Sequence, residues 1–358
     1  MDETDDLRLL ESQLADERNR VDVANHNFSA RELMRMLADE ELNIAPAYQR
    51  KFRWTKNGES VFIESMFLGL PVPPLFVATN VDFHWEIVDG LQRISTLTHF
   101  MAQDESQLQR IDRSEPLRLE GLEKLTQLNN KTYSDLPKNL QIYFARQPLQ
   151  VVSLTDKSDL QVRFDLFERL NKGAVSLSPQ EVRACVYRGK FNDFIEELSE
   201  DPNFTTLLKL QEKNKHDGTK AEQALKFFAY KNFREKFDGR VEKFLNRFIA
   251  DAAPAFDYQK EGSLFRETAQ TLLRITGEAP FLTQVHSITP LVQFEACMVA
   301  LGELLSEERA IRIPPQSGWA EDPELRDASS GGTNTRSMLR RRIDRAKALF
   351  DANSNNDA

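Results

Sequence analysis

The stretch from His84 to Phe100, HWEIVDGLQRISTLTHF, constrains the fold more than any other part of the chain. Trp85, Ile87 and Val88 form a short apolar run of strand type, and Asp89-Gly90 is a turn signal. From Ile94 onward, apolar residues recur at Ile94, Leu97 and, less regularly, Phe100, which is helical spacing. A strand that turns tightly into a helix is an anion-binding geometry. The first N–H groups of the helix have no intrahelical partner and sit at the positive end of its dipole, so a phosphate there gains on the order of 0.3 to 2 kcal/mol. Arg93 lies where a guanidinium adds a bidentate phosphate contact. Gly90 lets a backbone come close, Asp89 suits a hydrated Mg2+, a ribose or a water, and Gln92 offers both a donor and an acceptor. The same spacing also fits a plain turn, with Asp89 as N-cap and Arg93 as a solvated first-turn residue.

Elements of both kinds flank this stretch. Ser29 reads as an N-cap with Glu32 as its capping-box partner, opening a helix whose apolar face is Leu33, Met36 and Leu37. Pro46 keeps Ile44 to Trp54 extended. There Tyr48, Phe52 and Trp54 alternate with Gln49, Lys51 and Arg53, while Arg50 falls on the aromatic face. An arginine in that position needs an anion, an aromatic ring or an ion pair. Gly58 to Leu68 is predicted helical, with Val61, Ile63, Met66 and Phe67 buried and Gly69 ending it. Pro71, Pro73 and Pro74 lead into a strand at Leu75 to Thr79, which pairs with Trp85 to Val88 as a hairpin. Residues 101 to 140 read as polar and loop-rich, with a small insertion of strand and turn. A helix starts at Leu136-Pro137, a strand covers Pro148 to Leu154, and Leu160 to Leu170 is an amphipathic helix capped by Asn171-Lys172-Gly173. Ser178, Pro179 and Glu181 open the next helix as N-cap, first position and capping-box acid.

Beyond that point the apolar spacing is helical throughout. Val182, Val186, Ile195 and Leu198 belong to one helix or two around Gly189, and Ala221, Leu225 and Phe228 to another. Val241, Phe244, Leu245, Phe248 and Ile249 form a regular stripe, and further helices are predicted near Phe265 to Ile275 and Ile288 to Leu305. Core packing explains such stripes, and the region has no strand alternation and no Gly-rich phosphate loop.

The runs PAYQRKFRW, ESMFLGLPVPPLFV, IVDGLQRISTL and FERLNKGAVSLSPQEVRACVYRGKF follow one another in an order that resembles the N-terminal domain family of GmrSD-type restriction endonucleases, a branch of the ParB/sulfiredoxin-like superfamily. The resemblance spans residues 28 to 200. It implies an α+β fold, a small mixed sheet with helices, followed by an all-helical domain. It also implies a nucleotide-binding, NTP-hydrolysing module of a bacterial anti-phage or DNA-restriction system, as in SspE-like proteins, where the DGQQR motif serves NTP hydrolysis. By resemblance the nucleotide pocket falls on Gln49 and Arg50, on Asp89, Gly90, Gln92 and Arg93, and on Arg169, Asn171 and Lys172. Asp89, Arg93 and Arg50 take the catalytic roles, with Mg2+ as cofactor held by Asp89. Leu91 stands where the family often has glutamine, so a contact made there by the family is in question. The implied partners are an NTP, DNA, an effector protein or nuclease encoded elsewhere, and a second copy of the chain. Two other readings stay open: a non-catalytic sensor of a nucleotide or modified DNA that regulates a separate effector, and a ParB-like DNA nuclease.

Charge and composition narrow this further. The 358 residues suggest an acidic arm (1–27), the nucleotide-binding domain (28–180), a helical domain (181–312) and a linker with a basic helix (313–358). Residues 1 to 22 hold eight acids against three arginines, with Leu7, Leu10 and Leu14 at helical spacing, which predicts a solvated, partly helical arm. A net charge of -9 argues against a wholesale nucleic-acid coat. A local basic patch remains at Arg336, Arg340, Arg341, Arg342, Arg345 and Lys347. Met338, Ile343 and Leu349 would dock that helix, and its arginines would face either a phosphate backbone or acids. Pro314 to Thr335 reads as linker or loop. The five histidines show no metal spacing, so the HNH-type nuclease half that GmrSD-type proteins often add is predicted to be missing. Cys185 and Cys297 sit in apolar, helix-like settings and read as buried free thiols in a reducing compartment. With no signal pattern and no apolar run approaching about 18 residues, the expected location is the cytoplasm, away from membranes.

Overall fold

A computed structural model of the chain describes residues 3–19, 22–44, 54–79, 82–155, 164, 178–187, 189–215, 217–252, 255–315 and 318–354, with the backbone alone at 3–8, 17, 19 and 185. The chain divides into two compact units, residues 1–176 and 177–358.

The first unit is α+β. Its elements are α1 (Glu3–Asn19), β1 (Val23–Ser29), α2 (Ala30–Ala38), β2 (Leu42–Asn43), α3 (Lys56–Phe67), β3 (Leu75–Thr79), β4 (Trp85–Asp89), α4 (Leu91–Met101), α5 (Glu105–Gln109), α6 (Lys138–Ala145) and β5 (Pro148–Leu154). The sheet is mixed, in the order β1-β5-β3-β4-β2. Its β3–β4 pair is the expected antiparallel hairpin, and β3 runs parallel to β5. Leu75, Val77, Ile87, Leu149 and Val151 present one apolar face, on which Leu33 of α2, Ile63 of α3, Leu97 of α4 and Phe144 of α6 pack.

Local chemistry sets the helix boundaries. Ser29 accepts from the Glu32 amide at the start of α2, and Thr55 accepts from Gly58 at the start of α3. Gly69 ends α3 with φ +65°, its amide donating to the Met66 carbonyl, a left-handed cap that only glycine takes without cost. Two buried acids fasten α3 to its surroundings. Glu64 accepts the amides of Lys124 and Leu125, and Glu59 meets Nδ1 of His99 on α4 at 2.5 Å. Nε2 of His99 faces the Glu115 carbonyl at 3.0 Å, and a carbonyl can only accept, so Nε2 carries a proton and a second proton lies between Nδ1 and Glu59.

Several expectations are corrected here. Strand β1 went unread because VANHNFS is largely polar. It is an edge strand that buries only one side, and only partly. In α3, Ile63, Met66 and Phe67 are buried as expected, but Phe62 joins them in place of Val61, which is 45% exposed: Phe62 lies four residues before Met66 on the same face. The region 101–140 contains no strand. Leu117, Leu119, Leu122 and Leu128 are buried from irregular backbone held by bonds such as Leu119 to Lys131 and Asn130 to Leu119. The expected helix at 160–170 and its cap at 171–173 lie outside the described residues, apart from residue 164.

The second unit is helical: α7 (Pro179–Val186), α8 (Lys190–Ser199), α9 (Pro202–Leu207), α10 (Thr219–Phe233), α11 (Val241–Ala252), α12 (Tyr258–Ile275), α13 (Leu291–Ser306), α14 (Pro323–Ala328) and α15 (Arg336–Phe350). The capping box at Ser178, Pro179 and Glu181 is complete. Phe204, Phe227, Phe228, Phe265 and Phe294 form an aromatic centre, joined by Leu272, Leu301 and Cys297, whose thiol burial pushes well above its ordinary range. Within the expected linker, residues 318–328 pack into the unit. Leu325 and Ala328 of α14 are buried, and Trp319 meets the rings of Phe281 and Phe350. Helix α15 docks through Leu339, Ile343, Ala346 and Phe350.

Candidate functional site

Strand β4 runs straight into α4, and a bulge between them decides where the carboxylate points. Ile87 lies opposite Val77 and Asp89 opposite Phe76, so Val88 is an extra residue without a partner. Val77 and Phe76 face opposite sides of the sheet, and Asp89 therefore turns away from Ile87 and the apolar core. Without the bulge, simple alternation would have aimed this carboxylate into the core. It is 37% exposed instead.

Gly90, not Asp89, is the N-cap of α4, with φ +104°. No side chain caps this end and no acid stands in the first turn, unlike α2 and α5. The space a Cβ would need at Gly90 is filled: it would collide with a Leu75 methyl and lie 3.1 Å from the Arg93 guanidinium. Gly90 thus admits a side chain of its own helix, where the sequence suggested an approaching phosphate. Arg93 folds back across it, and its Nη2 donates to Oδ2 of Asp89 and, at 3.2 Å, to the Pro74 carbonyl. Its Nε–H is buried and has no partner among the described residues. Arg93 is therefore not the solvated first-turn residue of the plain turn.

Gln92 serves the fold, since its Oε1 accepts from the Trp54 amide at 3.1 Å. That bond ties the end of the first motif to the start of α4, and Trp54 then meets Phe62 edge-on with centroids 5.6 Å apart. Asp89, Gly90, Gln92 and Arg93 are thus brought together. Gln49, Arg50, Arg169, Asn171 and Lys172 lie outside the described residues. One residue was missed by the sequence reading. Glu86, buried, shares the sheet face of Asp89 because of the bulge at Val88; plain alternation in WEIVD would have put the two on opposite faces.

The family model of the GmrSD restriction endonuclease, N-terminal domain, matches residues 33–188, which include β4, Gly90 and α4. That region of the chain is similar to the GmrSD N-terminal domain. No curated protein and no solved structure matches the chain. The match suggests a component of a restriction or anti-phage system, and the DGLQR segment of the matched region is the strand-to-helix junction just described.

Of the two partners expected for the arginines of the basic helix, the structure shows acids at three positions, and Arg342 is turned inward. Arg342 is buried, donates to the Thr333 carbonyl and lies 3.9 Å from Glu295, so it faces no solvent ligand. Arg345 pairs with Asp322, Arg341 with Asp327, and Arg340 with Glu235. Arg336 donates through Nε to the Phe237 carbonyl. Among the described residues no group of three or more His, Cys, Asp or Glu side chains is placed to hold a metal ion, and no helix is long and apolar enough to cross a membrane.

Proposed function

We propose that the region similar to the GmrSD N-terminal domain binds and hydrolyses a nucleoside triphosphate within a restriction or anti-phage system, with the polyphosphate at the start of α4. The observation that supports this is the combination of an uncapped helix N-terminus with a guanidinium lying across it, one of whose buried donors is unsatisfied. A buried donor without a partner is costly, and an arriving phosphate oxygen relieves that cost. In the proposed cycle the phosphate competes with Asp89 for Arg93. Asp89, released from the ion pair, then orients the attacking water. Phosphoryl transfer asks mainly for positioning and charge stabilisation, which guanidinium groups and helix amides supply. Gln49, Arg50, Arg169, Asn171 and Lys172 would complete the pocket in this reading.

Mg2+ fits the donors present. It keeps most of its water and takes one or two carboxylates beside the substrate phosphates, and Arg93 engages only Oδ2 of Asp89. When bound, Mg2+ neutralises charge on the β and γ phosphates.

The test is phosphate release from NTPs with Mg2+ by the purified chain, Asp89→Ala and Arg93→Ala. Loss of turnover in both variants is expected. Equal turnover in all three would remove the catalytic assignment, and saturable binding without turnover in the wild type would select a nucleotide sensor that regulates a separate effector.

A further inference from the structure

One face of α15 lines a cleft of about 850 Å³ in the helical unit, with Arg336, Arg340, Arg341, Arg345 and Ser337 on its wall. Two acids, Glu324 and Asp344, also border it. Arg345 is committed to the fold: it makes a two-point pair with Asp322, the residue that caps α14. Arg340 and Arg341 are different. Arg340 pairs with Glu235, and Arg341 with Asp327 and, at 3.7 Å, with Glu324; these carboxylates are 70%, 65% and 49% exposed, and exposed ion pairs hold each other weakly. Arg336 shows no ion-pair partner among the described residues, and the bond it makes to the Phe237 carbonyl uses Nε. The first turn of α15 holds no acid, so its amides add to the same positive end.

We propose that this cleft is a second anion site, which takes phosphate esters on Arg336, Arg340 and Arg341. Residues four apart on a helix are separated by about 6 Å along its axis, so Arg336 and Arg340 address two phosphates one turn apart. Arginine forks match phosphate oxygens in two-point contacts. Binding is an exchange in which phosphate displaces Glu235 from Arg340, and Asp327 and Glu324 from Arg341. The acids thereby mask the site, which fits a chain whose overall charge is negative. This inference uses no residue of the Asp89–Arg93 site, so each can fail while the other stands.

The test is fluorescence anisotropy on the full chain with a short labelled DNA strand and its duplex, together with calorimetry using inorganic tripolyphosphate. Binding that weakens with salt is expected. The double variant R340A/R341A should bind about tenfold more weakly and reduce the salt slope by roughly 1.4 to 1.8, from 0.7–0.9 per lost contact. The unmasked variant E235Q/D327N should bind roughly threefold tighter, since little holds those pairs together. The tighter of strand, duplex and tripolyphosphate names the source of the phosphate. The proposal is overturned if none of the probes binds at low salt, if R340A/R341A binds like the wild type, or if E235Q/D327N gains nothing. Far-UV circular dichroism of the variants confirms that they fold.

Discussion

In the helical unit, Arg183, Lys226 and Arg342 lie in the interior facing Glu222 and Glu295, whereas in the sheet unit Asp89 and Arg93 meet at the end of a strand, partly in solvent. The interior network is dense, although the Arg342 Nε–H and an Asn246 amide donor in it also have no partner among the described residues. Lys226 reaches Glu222 at 3.1 Å and Glu295 at 2.9 Å, and Arg183 bonds Asn246 and Glu222. Burial alone would pull the Lys226 amine down, but Glu295 and Glu222 outweigh it and hold the amine charged. At the strand end, by contrast, one carboxylate answers one guanidinium, and the pair lies partly in solvent beside a helix end that no side chain caps. Buried charges packed among several partners hold helices in register. A single partly exposed pair beside an open helix end is where the proposed function places its ligand.

Four substitutions test that contrast. Glu295→Ala leaves Arg342 without its carboxylate and Lys226 with Glu222 alone, and a loss of about 3–5 kcal/mol in urea unfolding is expected; a loss below about 1 kcal/mol would show that the network is not the fastener described. Gly90→Ala forces a Cβ against Leu75 at a positive φ, costs about 1–3 kcal/mol and displaces Arg93; nucleotide binding falls with it. Glu196 is a half-buried acid of the helical unit. Burial, with Glu200 and Asp193 nearby, pushes it up to about 6 from 4.5. The folded state therefore holds a proton that the unfolded state has released between those pH values, and wild-type stability falls as pH rises through that window. Glu196→Gln should match wild type below pH 4.5 and exceed it by about 1–2 kcal/mol above pH 6. Asp89→Asn gives the smallest stability change, about 1 kcal/mol or less for a partly exposed pair, yet it should abolish turnover. A large stability loss with turnover retained would place this pair with the structural charges of the helical unit.

Where chain geometry is set by neighbours in sequence, the sequence was readable. β3 and β5 begin and end where their apolar runs do, and the Ser178 capping box forms as written. What escaped depends on contacts far apart in sequence. β1 is a strand because β5 pairs with it, although its own asparagines argue against one. Helix α14 and Trp319 look like linker until Phe281 and Phe350 cover them. At the site, DGLQR announced the turn and the helix. The bulge at Val88 and the Leu75 methyl over Gly90 are properties of the β3–β4 pair, and no local pattern encodes them. Arginine spacing on α15 likewise could not separate buried Arg342 from exposed Arg340 and Arg341, because that depends on where Glu295 and Thr333 lie.

Amide hydrogen exchange across residues 85–101, with and without an NTP and Mg2+, bears most directly on whether the phosphates sit at the start of α4. Exchange at Leu91, Gln92 and Arg93 should slow on nucleotide addition in the wild type and stay unchanged in Arg93→Ala. If calorimetry shows that the nucleotide binds while those three amides exchange at their free rates, the phosphates sit elsewhere and the assignment of the α4 terminus is wrong.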